Sequence, residues 1–178
     1  MLGVPEPIAA RLVAQERFSE RLSSKLVTQL RLPPCNDAIG AFDLALVLLP
    51  ADEVARLAAV FGAIWHVHAI RRLIARSDRT PIIDAIGIGL YQFLLGADVP
   101  EQLAETVEGL PLIEQVVRSG HILLTQWLER LPPGYSGRVR LMLPTGFSGE
   151  APKTPLPAAA VDIAVRLTLA WRAEQSDA

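Results

Sequence analysis

The chain has 178 residues, of which 51% are hydrophobic and 20% charged, with a formal net charge of -2. This composition is typical of a globular protein with a sizeable core and excludes an intrinsically disordered chain. The small negative charge gives no general attraction to nucleic acid or to an anionic membrane. A mean hydropathy of +0.31 is high for this size, and it predicts a large core or an apolar surface that meets a partner.

Cysteine usage and hydropathy predict a cytoplasmic protein. The one cysteine, Cys35, excludes an internal disulfide bond and is typical of a reducing compartment. Charged residues interrupt the apolar positions of the first 21 residues, unlike the hydrophobic region of a signal peptide. The longest apolar runs fall short of the roughly 20 residues that cross a bilayer. We therefore expect no membrane span.

The first quarter of the chain predicts two helical segments. Apolar residues at helical spacing favour a helix over residues 8–30, which a pair of prolines then ends. Asn36 and Asp37 are suited to cap a second helix that continues through Ala45. The apolar run 44–49 overlaps the end of this helix, and periodicity alone leaves it open as a buried helix or a strand.

Residues 50–95 predict the centre of the fold, a hairpin of two apolar helices joined by a short basic turn. Gly62 costs the first helix about 1 kcal/mol relative to alanine. We expect either two helices that meet at Gly62 or one helix with a local bend. Thr80 and Pro81 predict the start of the second helix, because a capping residue precedes a proline at the first helical position.

Glycines mark the second helix of this hairpin. Gly87 and Gly89 lower its helix propensity, which indicates that a neighbouring helix approaches closely there. Gly96 is typical of the residue just beyond a helix C terminus.

The rest of the chain predicts further helices around one irregular segment. A short helix is expected over 98–108, and over 111–131 either one long helix or two stacked halves. Prolines and glycines predict a loop or arm over 134–157, in which the alternating residues 139–143 are a candidate strand. Its obvious pairing partner is the earlier apolar run. A terminal helix is expected over 158–173.

These elements predict a mainly α protein, a single compact helical domain over residues 1–178 with about six helices and at most a small β element.

The motifs that usually carry chemistry are incomplete in this chain. His66 and His68 stand two residues apart, so a helix points them about 200° from each other, away from a shared metal. Gly87 and Gly89 lack the third glycine and the preceding strand of a dinucleotide loop. Cys35 has no neighbouring base. We predict no catalytic residue, no metal site and no cofactor.

A cluster of arginines in the polar turn is the predicted partner-binding site: Arg71, Arg72, Arg76 and Arg79. On a continuous helix the last three share one face. One interpretation is a docking site for an acidic protein segment or a phosphate. The other is a solvated face whose positive charges suit the C-terminal end of a helix.

Two alternatives remain open from the residues alone. The first is a small-molecule-binding protein or enzyme with a pocket between helices, near a group of aromatic and histidine side chains: Trp65, His66, His68, Tyr91 and His121. The second is a helical regulator or chaperone that presents an apolar groove.

Residues 48–95 also contain short motifs in a familiar order: a leucine-rich helix, an Ile-Arg-Arg stretch, a glycine within a helix and a Tyr-x-Phe end. Their defining positions are Ile70, Arg71, Arg72, Gly87, Tyr91 and Phe93. This order resembles the central part of the YscK/HrpD family, accessory subunits of the cytosolic sorting platform of bacterial type III secretion systems. The resemblance implies a non-enzymatic subunit at the cytoplasmic face of the inner membrane. Its partners would be the pod protein and the cytoplasmic domain of the inner-membrane ring, with no nucleic acid.

Overall fold

A computed structural model describes residues 16–100, 109–144, 147 and 156–176, and all regular structure in these residues is helical. The helices are α1 (Glu16–Gln29), α2 (Ala41–Val47), α3 (Ala51–Trp65), α4 (Val67–Arg71), α5 (Arg76–Ile86), α6 (Ile88–Gly96), α7 (Leu112–Arg130), α8 (Pro133–Met142) and α9 (Ala158–Ser176). The mainly α prediction is confirmed. The described residues hold nine helices where about six were expected, because predicted helices break and an expected loop is partly helical.

Helices α3 and α7 form the central pair, and two glycines let their backbones touch. A Cβ added to Gly62 would lie 1.9 Å from the carbonyl oxygen of Val116, and one added to Gly120 would lie 1.8 Å from that of Ala58. Only glycine permits this approach. Helix α3 therefore continues through Gly62 without a break and ends at Trp65, three residues beyond the position where a bend or junction was expected.

A first cluster of buried side chains lies beside the central pair, where α2, α8 and α9 pack on it. Phe61 and Trp127 meet edge to face at its centre, with ring centroids 6.2 Å apart. The Trp127 indole donates a hydrogen bond to Oδ1 of Asp43 at 2.8 Å, so the largest side chain of the cluster is satisfied as well as buried. Val161 and Val165 bring α9 into the same cluster.

A second cluster joins the other part of α3 to α4, α5 and α6. Ile64, Ile70, Ile86 and Leu94 are almost wholly buried in it. Helix α9 reaches this cluster too, through the partly buried Trp171 and its neighbours. The hairpin predicted over residues 50–95 thus supplies most of the second cluster and, through Val54, Leu57 and Phe61 of α3, part of the first.

The predicted β element is wrong for both of its candidate segments. Residues 41–47 form α2, and residues 139–142 belong to α8, where Val139 is fully buried. The expected loop over 134–157 therefore gives way to helix up to Met142. The prediction failed because it treats Pro133 as a helix terminator. In the structure it occupies the first position of α8, where its missing N–H is not needed for a helical hydrogen bond.

Tertiary contacts hold α8 in place, and local sequence does not show them. The segment that contains Pro34 lies directly against the first turn of α8, where a Cβ on Gly134 would be 2.3 Å from the carbonyl oxygen of Pro34. Arg138 donates from Nη1 to the carbonyl of Pro33 at 2.9 Å. The expected terminal helix begins at residue 158 as predicted and runs to Ser176.

Helix boundaries in the hairpin also differ from the prediction. Helix α5 begins at Arg76, so Pro81 lies inside it rather than at its start. The helix expected to reach Gly96 breaks at Gly87, whose φ of +85° and ψ of 153° are strained for any other residue. In this arrangement Ile82 and Ile86 are buried in the second cluster. Residues 1–15 and 101–108, where parts of two predicted helices fall, lie outside the described residues.

None of the described helices combines the length with the apolar character that crossing a membrane requires.

Candidate functional site

The four predicted arginines lie where α4 ends and α5 begins, around an exposed turn of residues 72–75. The last turn of α4 tightens, with the N–H groups of Arg72 and Leu73 bonded to the carbonyls of Ala69 and Ile70 at 3.1 Å. Leu73 then packs on the second cluster and anchors the turn. The next side chain, Ile74, is 88% exposed. An apolar side chain thus stands at the tip, surrounded by positive charge.

Arg71 differs from the other three arginines because it is a structural residue. Its Nε donates to the carbonyl of Leu94 at 2.9 Å, and its Nη2 donates to the carbonyl of Ala97. These carbonyls end α6, where a cation complements the negative end of the helix. Arg71 therefore fastens α4 to the C terminus of α6.

Arg72 and Arg76 are exposed, and Arg79 is half-buried. Their side chains form no hydrogen bond or ion pair with any residue in the described part of the chain. The neighbouring acid, Asp78, accepts a hydrogen bond from the Ser77 hydroxyl at 3.1 Å. With three arginines and one aspartate, residues 72–79 carry a local excess of positive charge.

For Arg76 and Arg79, helix geometry excludes the interpretation that their positive charge suits the C-terminal end of a helix. Arg76 is the first residue of α5 and Arg79 is the fourth. A cation at a helix N terminus opposes the helix dipole, which favours negative charge there. Arg72, at the end of α4, does not lie on one helix face with the other two. The expectation that all these charges suit a helix C terminus is therefore wrong for Arg76 and Arg79.

The three histidines have separate surroundings. His66 is buried, and its Nε2 lies 3.0 Å from the Ser119 hydroxyl. His68 donates from Nε2 to the carbonyl of Pro100 at 3.0 Å. His121 is exposed and meets Phe147 edge to face. The described residues contain no group of three or more potential ligands that would hold a metal ion.

Burial also changes the proton affinity of one histidine. It lowers the pKa of His66 below its ordinary value, because the protonated ring loses solvation, and the nearby backbone of Gln115 partly opposes the shift. The neutral ring is therefore favoured in the folded protein.

The aromatic residues named for a small-molecule pocket are packed into the core instead. Tyr91 is 6% exposed within the second cluster, and Trp65 packs against both clusters. His121 lies beside a surface depression on α7.

A cleft that the sequence did not indicate lies between α3 and α9. It has a volume of about 390 Å³, with Leu57 and Ile86 among its apolar residues and Arg56 among its charged ones. Glu53 and Arg172 form an ion pair among the lining residues. Since α3 and α9 come from distant parts of the chain, no local sequence pattern predicts this cleft.

Comparison of the chain with protein-family models, with curated proteins and with solved structures finds no match in any of the three.

Proposed function

We propose that this protein is a non-enzymatic assembly subunit of the type III secretion sorting platform. In this role it is cytoplasmic, lies at the inner-membrane secretion apparatus, and links the inner-membrane ring to the pod protein. The motif order within residues 48–95 supports this assignment.

The observation that carries the docking role is the surface formed by Arg72, Ile74, Arg76 and Arg79, here called the arginine turn. Fold stability does not require a cation at the start of α5, nor an isoleucine that is 88% exposed. A partner with carboxylates around a small apolar pocket would satisfy both features, since guanidinium groups pair with carboxylates and the isoleucine loses its contact with water. We infer an acidic, partly apolar surface on one of the two partners.

The experiment is a calorimetric titration of the chain with the pod protein and, separately, with the cytoplasmic domain of the inner-membrane ring. We expect one of them to bind in the micromolar range, and binding to weaken as salt is raised because exposed charges are screened. Arg72→Glu and Arg76→Glu, tested singly, should each weaken that binding by about tenfold. Thermal melts should show that both variants remain folded, because neither side chain has a partner within the described residues and Arg76→Glu replaces an unfavourable charge at the start of α5 by a favourable one.

Arg140→Glu is the matched control, since Arg140 is also exposed but lies on α8. It should leave the affinity unchanged. Absence of binding to both partners up to about 100 μM would contradict the secretion assignment. Binding that tolerates both reversals, or that Arg140→Glu weakens equally, would instead show that the arginine turn is not the contact. Arg71 is left intact in all variants because it joins α4 to α6.

A further inference from the structure

The outward face of α7 carries an apolar strip that the described residues leave partly exposed. The sequence places Ile113 and Val117 in the same apolar stripe as the core residues of this helix. Yet Val117 is 42% exposed and Ile113 is only partly buried. Together with Glu114, Arg118 and His121 they line a shallow depression of about 400 Å³. The exposed Leu110 lies just before the helix begins.

Two opposite charges stand in this depression one helical turn apart. Glu114 and Arg118 are both exposed, and neither side chain forms a hydrogen bond or an ion pair with a residue in the described part of the chain. A glutamate four residues before an arginine is a favourable arrangement within a helix. Here the two groups do not pair with each other.

We propose that this face of α7 binds the same face of a second copy of the chain, with the two helices antiparallel about a two-fold axis. The contact pairs Glu114 of each copy with Arg118 of the other around a centre formed by the two Val117 side chains. This arrangement is an isologous interface, in which one surface complements itself.

The positions of the charges select this geometry. Glu114 and Arg118 are equally distant from position 116, so an axis that crosses α7 there places each glutamate opposite the partner copy's arginine. Val117 lies one residue from the axis, about 1.5 Å along the helix, so the two valines meet. A parallel arrangement in register would place Glu114 against Glu114 and Arg118 against Arg118, which like-charge repulsion disfavours.

Charge balance favours a second copy over a strongly charged partner. One acidic and one basic side chain lie beside the strip, so the depression has no net charge to attract a polyanion or a polycation. The order of acid, apolar residue and base along the helix instead matches the same order in a second copy that runs in the opposite direction. The contact area is that of a single helix face, so we expect weak, reversible dimers.

The experiment is sedimentation equilibrium of the whole chain, from micromolar to about 500 μM. Wild type should show a monomer–dimer equilibrium within this range. Glu114→Arg alone and Arg118→Glu alone each place like charges opposite one another, and each should raise the dissociation constant by about tenfold or more. The double variant with both changes restores opposite charges, and its dissociation constant should return to within about threefold of wild type.

Two further variants separate the apolar and the local contributions. Val117→Asp should abolish the dimer because it places two carboxylates at the axis. Glu129→Arg, on the same helix but away from the depression, should leave the dissociation constant unchanged. All of these side chains are exposed, so thermal melts should confirm that each variant is folded. A wild-type chain that stays monomeric at about 500 μM would overturn the proposal, and so would a double variant as weak as the single ones.

Discussion

His66 makes the stability of the fold depend on pH. Burial lowers the pKa of this ring in the folded state, whereas the unfolded chain has the ordinary value of about 6.5. Above that value the ring is neutral in both states, and its contribution to stability is fully present. As the pH falls through 6.5 the unfolded chain takes up the proton first, so the free energy of unfolding decreases until the folded ring is protonated as well.

We therefore predict that the wild-type protein loses more stability between about pH 7 and pH 5 than the variant His66→Gln, whose side chain does not titrate. Urea denaturation at several pH values measures this difference in slope. Equal slopes for wild type and His66→Gln would show that burial does not shift this histidine.

At the same scale, the arginine cluster shows what sequence can and cannot reveal about a residue. The spacing of the four arginines correctly pointed to a basic turn between two helices. The separate role of Arg71 was not predictable, because the carbonyls it binds belong to residues more than 20 positions further along the chain. Nor was the position of Arg76 at a helix N terminus, since Pro81 indicated a later start.

Among the helices, the crossing of α3 and α7 is the contact least tolerant of change. The two backbones are so close that a methyl group at Gly62 or at Gly120 would overlap a carbonyl of the other helix. Alanine at either position gains about 1 kcal/mol of helix propensity, and overpacking of a tight contact typically costs about 1–3 kcal/mol and occasionally more. Because the obstacle here is backbone and not a flexible side chain, we expect the overlap to cost more than the gain.

The overlap with backbone places the cost at the upper end of that range or above it, so after the gain in propensity we predict that Gly62→Ala and Gly120→Ala each lower the free energy of unfolding by about 2 kcal/mol or more, measured by chemical denaturation at constant m-value. Gly96→Ala is the control at the end of α6, where an added Cβ would have nothing within 4 Å. That variant should be neutral or slightly stabilised. If the two interface variants were instead more stable than the wild type, as expected for alanine in place of an exposed helical glycine, the close crossing of α3 and α7 would be refuted.

Helix patterns succeeded where one stretch of sequence decides the element, and failed where packing decides. The long helix α7 follows directly from its apolar stripe, and α9 from an apolar segment that begins at Ala158. Helix α8 does not, because Pro133 and Gly134 read as the end of one helix when they also begin the next. The contact of Gly134 with Pro34 that stabilises this turn joins segments 100 residues apart. The cleft between α3 and α9 escaped prediction for the same reason.

For the whole molecule, the two buried clusters share their supporting helices. Helix α3 contributes Phe61 to the first cluster and Ile64 to the second, and α7 contributes Trp127 and Val116 in the same way. Helix α9 also packs on both. If one cluster unfolded, the shared helices would lose apolar contacts, and the other cluster depends on the same helices. We therefore expect the clusters to unfold together, as in a single cooperative domain.

Tryptophan positions allow a direct test of this cooperativity. Trp127 lies in the first cluster and Trp171 packs on the second, so two variants that retain one of them report on each cluster separately. In the variant with Trp65→Phe and Trp171→Phe, and in the variant with Trp65→Phe and Trp127→Phe, fluorescence and far-ultraviolet circular dichroism should give the same urea midpoint. The comparison is made within each variant, so differences in stability between the variants do not affect it. Fluorescence that changes before or after the helical signal in either variant would mean that the two clusters unfold independently and that the chain forms more than one cooperative unit.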